Sequence, residues 1–98
     1  MKRNYDVAII GGGVQGLSLA YNLAKNAAGN IAVFEKSYIG SGASSRNGEM
    51  LRSAFASKEW IRFFDKSLQF WETLASELDF NVMYTRCGYL ILASAPNE

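Results

Sequence analysis

Histidine is absent from the 98-residue sequence. Within this stretch no imidazole can act as a base near neutral pH, and no histidine-containing metal site can form. Cysteine occurs once, as Cys87, which excludes an internal disulfide and points to a reducing, cytoplasmic setting. Excess charge is scarce as well. The net charge of +1 gives no electrostatic reason to bind nucleic acid or an acidic membrane surface. Apolar runs are short: none approaches the ~20 residues of a membrane span. The opening "MKRNYDVAII" reaches glycine before it could form the core of a secretory signal. Internal repeats and clear linkers are missing too.

What remains is globular in character. Hydrophobic residues make up 49% and charged residues 19%, a balance that can bury a core. A chain of this size buries roughly 60–65% of its unfolded surface, enough for one small domain or a piece of a larger one. Tyr5–Ile10 is a glycine-bounded apolar run rich in β-branched residues, and reads as a buried parallel strand. Val14–Asn26 sets Leu17, Ala20, Tyr21, Leu23 and Ala24 at helical spacing, with Gly29 as the stop. Ile31–Glu35 reads as a second buried strand, so a β-α-β unit fits within about 30 residues. Lys36–Gly48 is Gly/Ser-rich loop. A long helix is predicted over Ser57–Asp79. Trp60, Phe64, Leu68, Trp71, Leu74, Ala75 and Leu78 form its apolar stripe, Phe63 and Phe70 widen it and suggest burial on more than one side, and the stripe reads as core packing. Asn81–Thr85 and Tyr89–Ala93 read as short strands turning near Arg86–Gly88.

Gly11, Gly13 and Gly16 give the spacing G-x-G-x-x-G between the first strand and the first helix, the context that motif needs. Gly11 permits a tight turn, Gly13 lets the backbone approach a pyrophosphate, and Gly16 lets the helix pack closely on the strand. Phosphates would lie against the free N–H groups at the helix N-terminus, at Val14 and Gln15, where the helix dipole favours negative charge. Glu35 ends the second strand, 19 residues past Gly16. An acid there can accept hydrogen bonds from ribose hydroxyls and would repel a 2′-phosphate. NADP is disfavoured, while FAD and NAD both stay open on this motif alone.

The next loop, "GSGASSRNGEMLRSAF", offers small residues, hydroxyls and the two cations Arg46 and Arg52. Exposed N–H groups and serine hydroxyls can bind phosphate oxygens. A fixed arginine can stabilise the negative charge of a reduced flavin. Taken as residues alone, Arg46 and Arg52 read more readily as ordinary solvated surface charge, and Glu49 and Lys58 read as solvated.

Four segments, "DVAIIGGGVQGLSLAYNLA", "VFEK", "GASSRNGEMLRSAF" and "NVMYTRCGYLILA", resemble the N-terminal region of the FAD-dependent amine and amino-acid oxidoreductases of the D-amino-acid oxidase superfamily. Within it the chain looks most like the branch of sarcosine oxidase β subunits and related amino-acid dehydrogenases. The resemblance implies FAD as cofactor, its pyrophosphate held at Gly11, Gly13 and Gly16 and its adenosine ribose at Glu35, with Lys36 alongside. It implies that Ser44, Ser45, Arg46 and Asn47 line the phosphate and ring side of the flavin. It implies that Arg52 lies near the isoalloxazine, as the candidate catalytic residue. The implied reaction removes a hydride from the carbon next to the nitrogen of a small amine or amino acid. Monomeric relatives carry histidine near the positions of Ser44 and Ser45. Its absence here points to the hetero-oligomeric branch, with other oxidase subunits as partners. Relatives that attach flavin through cysteine do so later in the chain, so Cys87 reads as packing.

The expected architecture is α/β. A Rossmann-like βαβ FAD-binding segment of the D-amino-acid oxidase (GR2) type, with the long helix, occupies residues 1–79. The first strands of an antiparallel substrate-domain sheet occupy residues 80–98. Members of this superfamily are several times longer, so the chain reads as an N-terminal portion that is inactive by itself. Two other readings use the same residues. One is a non-catalytic nucleotide-binding or subunit-interaction module acting through the aromatic helix. The other is part of an NAD-dependent dehydrogenase, in which the loop Gly40–Asn47 would have no obvious task.

Overall fold

The computed structural model describes residues 4–92 and 94. The chain divides into two compact units, Met1–Gly48 and Glu49–Glu98. In the first, β1 (Val7–Ile10), α1 (Val14–Lys25) and β2 (Ile31–Phe34) follow in order. The strands pair in parallel, Val7 opposite Ile31 and Ile10 opposite Phe34, as a crossover through a helix permits. Asp6 pins the entry to this pair. Its carboxylate accepts the Asn30 N–H at 2.7 Å, and its own N–H donates to the Asn30 carbonyl at 2.9 Å.

Ile9, on the face of β1 that meets α1, is only 7% exposed and forms the centre of this unit. The sequence reads both strands as buried, but Ile10 and Phe34 are exposed. Among the described residues one helix covers one face of a two-stranded sheet, so the side chains of the other face stay open. The end of α1 also differs from the glycine stop expected at Gly29. The Ala28 N–H returns to the Leu23 carbonyl at 3.0 Å and the Ala27 N–H to the Ala24 carbonyl at 3.1 Å. That double return closes the helix with Ala27 in the left-handed region at φ 54°, where glycine is usual.

In the second unit, α2 (Lys58–Leu78) matches the long helix read from the apolar stripe. Ser57 is its N-cap, and its hydroxyl accepts the Trp60 N–H at 3.3 Å. Asp79 closes it in the left-handed region at φ 49°, and the Phe80 N–H returns to the Ala75 carbonyl at 3.1 Å. The stripe packs largely on its own neighbours. Phe55 stacks on Phe64 with ring centroids 4.3 Å apart, and Trp71 lies 6.4 Å from Tyr84. The expected burial on more than one side does not hold among the described residues: Trp60 is 57% and Phe63 62% exposed.

Residues 80–92 carry no β ladder, so the strands expected at Asn81–Thr85 and Tyr89–Ala93 are not formed as such. Ala93 itself lies outside the described residues. A strand exists only by pairing, and an isolated two-stranded hairpin is marginal in water. Met83 at φ 55° also breaks the extended run.

Candidate functional site

The loop between β1 and α1 is built by glycines with separate tasks. Gly11 takes φ +106°, a conformation closed to side chains in practice, and its N–H donates to the Phe34 carbonyl at 2.8 Å. That bond carries the β1–β2 pairing one residue further and aims the chain into the turn. Gly16 answers a different demand. A Cβ there would stand 2.0 Å from the Gly11 carbonyl oxygen and 3.4 Å from Ile9 Cγ2. The first turn of α1 therefore rests directly on the end of β1.

Gly13 is the N-cap of α1 in extended conformation and has no side chain that could cap the helix. Ser44 supplies one from 30 residues away, its Oγ accepting the Val14 N–H at 2.9 Å. The hydroxyl keeps its own proton to donate elsewhere. The amides of Gly13, Gln15 and Gly16 have no acceptor among the described residues, as expected for the first turn of a helix. The segment Ala43–Ser45 forms one turn of 3-10 helix that carries Ser44. Asn47 fastens that turn, its Nδ2 donating to the Ala43 carbonyl at 2.9 Å and the Ser44 carbonyl at 3.1 Å.

Glu35 follows β2 and is half-buried. Its Oε2 accepts the Gly12 N–H at 2.8 Å, and its Oε1 accepts the Ser37 N–H at 3.0 Å, with the Ser41 hydroxyl at a long 3.5 Å. The Gly12 N–H, and after it the Ser37 N–H, hold the carboxyl below its ordinary value of 4.5, so the group is ionised at neutral pH. The Gly12 carbonyl accepts the Gly40 N–H at 2.9 Å, which ties the loop after Glu35 back to the glycine turn.

The structure thus brings together Gly11, Gly13, Val14, Gln15, Gly16, Glu35 and Ser44. Lys36, Ser45 and Arg46 lie beside these residues in the chain with exposed side chains. Asn47 serves the 3-10 turn. Arg52 belongs to the second unit, where its Nη1 donates to the Tyr89 hydroxyl at 3.1 Å. There Met50, Arg52, Phe55, Phe64, Ser67 and Leu68 line a partly open pocket of about 130 Å³. No cluster of metal-ligating side chains exists among the described residues.

Sequence reading missed Gly12, Ser37, Ser41 and Gly40, which position Glu35 and the loop after it. The run of three consecutive glycines was the available signal for Gly12; Gly40 and Ser41 open the loop singled out above, but nothing in the sequence marked them or Ser37 as partners of Glu35 or Gly12.

These residues suit a dinucleotide. Unclaimed helix amides and the Ser44 hydroxyl meet at the start of α1, and an ionised, anchored acceptor follows the second strand. Comparison with known proteins agrees. The FAD dependent oxidoreductase (DAO) family matches residues 6–98. Sarcosine oxidase subunit beta from an Arthrobacter species is 43% identical over 93 residues, covering 94% of this chain and 23% of that protein. The subunit of the same name from Rhizobium meliloti is 44% identical over 92 residues, covering 93% of this chain and 22% of its own length. Glycine oxidase from Geobacillus kaustophilus is 51% identical over 51 residues, covering 52% of this chain and 13% of its own. The chain therefore spans less than a quarter of the length of these relatives. With a single family description covering nearly every residue, including the whole glycine loop and Glu35, the chain belongs to the DAO family of FAD-dependent oxidoreductases.

Proposed function

We propose that this chain provides the adenosine- and pyrophosphate-binding front of a flavoenzyme that oxidises the C–H bond next to nitrogen in a small amine or amino acid. The observation that carries the reading is the meeting of three groups at the start of α1: unclaimed amides, the Ser44 hydroxyl and the ionised Glu35. In this reading the amides of Gly13, Gln15 and Gly16 and the Ser44 hydroxyl hold the FAD pyrophosphate. Glu35 accepts from the adenosine ribose, and Ser45, Arg46 and Lys36 flank these contacts. Arg52 serves an anionic group near the flavin ring. When bound, FAD supplies the acceptor for a hydride from the carbon next to nitrogen.

Two kinds of relative support the substrate class, since sarcosine and glycine are both small amino acids. The name "subunit beta" supports assembly with other subunits. A cytoplasmic setting, a cofactor-binding portion over residues 1–79 and the start of a substrate domain over residues 80–98 belong to the same proposal. No helix among the described residues is long and apolar enough to cross a membrane.

The test is anaerobic. The intact protein, isolated with its flavin, is mixed in turn with sarcosine, glycine, proline, hydroxyproline and D-amino acids. The reading expects at least one of them to bleach the oxidised flavin absorbance. A bound flavin that none of them bleaches would remove the substrate assignment, and a preparation unable to bind FAD would remove the cofactor assignment.

A further inference from the structure

The Arg52 guanidinium lies 5.4 Å from the Phe55 ring centroid and 5.8 Å from that of Tyr89. It also donates from Nη1 to the Tyr89 hydroxyl at 3.1 Å. Two aromatic faces and one hydrogen bond thus act on a single cation, although Tyr89 is 37 residues away in sequence. Arg52 is exposed, and a lone exposed arginine samples many rotamers. Fixing one in advance removes an ordering cost that an anion would otherwise have to offset on binding. Ring faces attract the cation, and the hydroxyl accepts one of its five N–H groups. The other donors have no partner among the described residues.

We propose that Tyr89 is a positioning residue: its hydroxyl and ring, with the ring of Phe55, hold Arg52 ready to meet an anionic group. This rests on the reading above in which Arg52 serves such a group at the flavin. The shared chemistry is a delocalised negative charge. Two sources offer it, the reduced flavin ring and the carboxylate of an amino-acid ligand.

The experiment is a double-mutant cycle in the intact flavin-loaded protein, using Arg52→Lys, Tyr89→Phe and the pair together. Tyr89→Phe keeps the ring and removes only the hydroxyl, so the fold is retained. Two properties are read: the reduction potential of the bound flavin and the dissociation constant of acetate as a carboxylate probe. The expected result is that Tyr89→Phe weakens one of them by about three- to tenfold in equilibrium constant, the range of a single hydrogen bond. In the Arg52→Lys background the same change should do little, because its effect runs through Arg52. A shift in potential assigns the anion to the flavin, and a shift in acetate affinity assigns it to the ligand. If Arg52→Lys moves either property and Tyr89→Phe moves neither, the positioning role is overturned while the reading of Arg52 stands. A Tyr89→Phe effect that persists undiminished beside Arg52→Lys also overturns it. If Arg52→Lys moves neither property, the reading of Arg52 fails and the role of Tyr89 fails with it.

Discussion

Replacing Gly16 by alanine puts the close approach of α1 and β1 to a direct test. The new Cβ would stand 2.0 Å from the Gly11 carbonyl oxygen, about 1 Å inside the closest separation that real Cβ atoms show. The obstacle is backbone, so no flexible side chain can swing away. Relief requires α1 to lift from β1, or the Gly11 carbonyl to turn and disturb the Gly11–Phe34 hydrogen bond. Overpacking of this kind costs roughly 1–3 kcal/mol, and a backbone obstacle belongs near the upper end. Alanine gains back about 0.8–1 kcal/mol in helix propensity over glycine. The net loss is about 2 kcal/mol, which lowers the melting temperature of a small unit by roughly 8–16 °C.

The assay is thermal or urea unfolding of the intact protein, followed by circular dichroism. Gly48→Ala is the control, since a Cβ there meets nothing within 4 Å and its φ is not positive. It should change stability by no more than about 0.5–1 kcal/mol, and in the stabilising direction if at all. A Gly16→Ala protein as stable as the wild type, or more stable, would refute the close approach and with it the physical reason for the third glycine of the motif.

Glu35→Gln should weaken FAD binding about tenfold, because a charge-assisted acceptor becomes a neutral one. The pH dependence has a definite sign. The folded-state pKa of Glu35 is depressed by the Gly12 and Ser37 N–H groups, so its contribution is present above the unfolded value near 4.5 and is lost as pH falls through the folded one. The stability difference between wild type and Glu35→Gln should be constant from pH 7 to about 5.5 and shrink below 4.5, as measured by urea unfolding across that range. Ser44→Ala leaves the Val14 N–H without its acceptor and should cost about 1 kcal/mol, with a larger fractional loss in FAD affinity measured by titration. Ala27→Gly relieves a left-handed alanine at φ 54° and should stabilise the protein by roughly 0.5 kcal/mol, the relief being partly offset by a freer unfolded chain. Arg86→Ala breaks an exposed 2.7 Å ion pair with Glu72 and should change unfolding free energy by less than about 0.5 kcal/mol.

These predictions also mark what the sequence reveals and what it hides. The β-α-β order, the glycine turn and the limits of α2 follow from local requirements that leave a trace at fixed spacing. Gly11 needs a positive φ, Gly16 needs an absent Cβ, and Ser57 and Asp79 are residues that suit helix ends. The setting of Glu35 leaves no such trace. It depends on the Gly12 N–H, 23 residues away, and on a rotamer that turns the carboxylate inward. Ser44 was legible as a phosphate-loop residue, but its role as a cap on α1 required the loop to fold back over the helix. The pairing of Arg52 with Tyr89 spans 37 residues and was likewise invisible. The strands read at Asn81–Thr85 and Tyr89–Ala93 do not form among the described residues for the opposite reason: their composition is right, but strand formation is a property of pairing, which composition does not report.

The central claim is that the glycine turn, Ser44 and Glu35 form an FAD site, and cofactor titration tests it most directly. The intact protein, stripped of bound nucleotide, is titrated with FAD, NAD and NADP by calorimetry, and the Gly16→Ala and Glu35→Gln variants are treated the same way. The account predicts saturable one-to-one binding of FAD, weakened in both variants, and no saturable binding of NAD or NADP. Saturable binding of NAD without binding of FAD, or FAD binding unchanged in both variants, would contradict it.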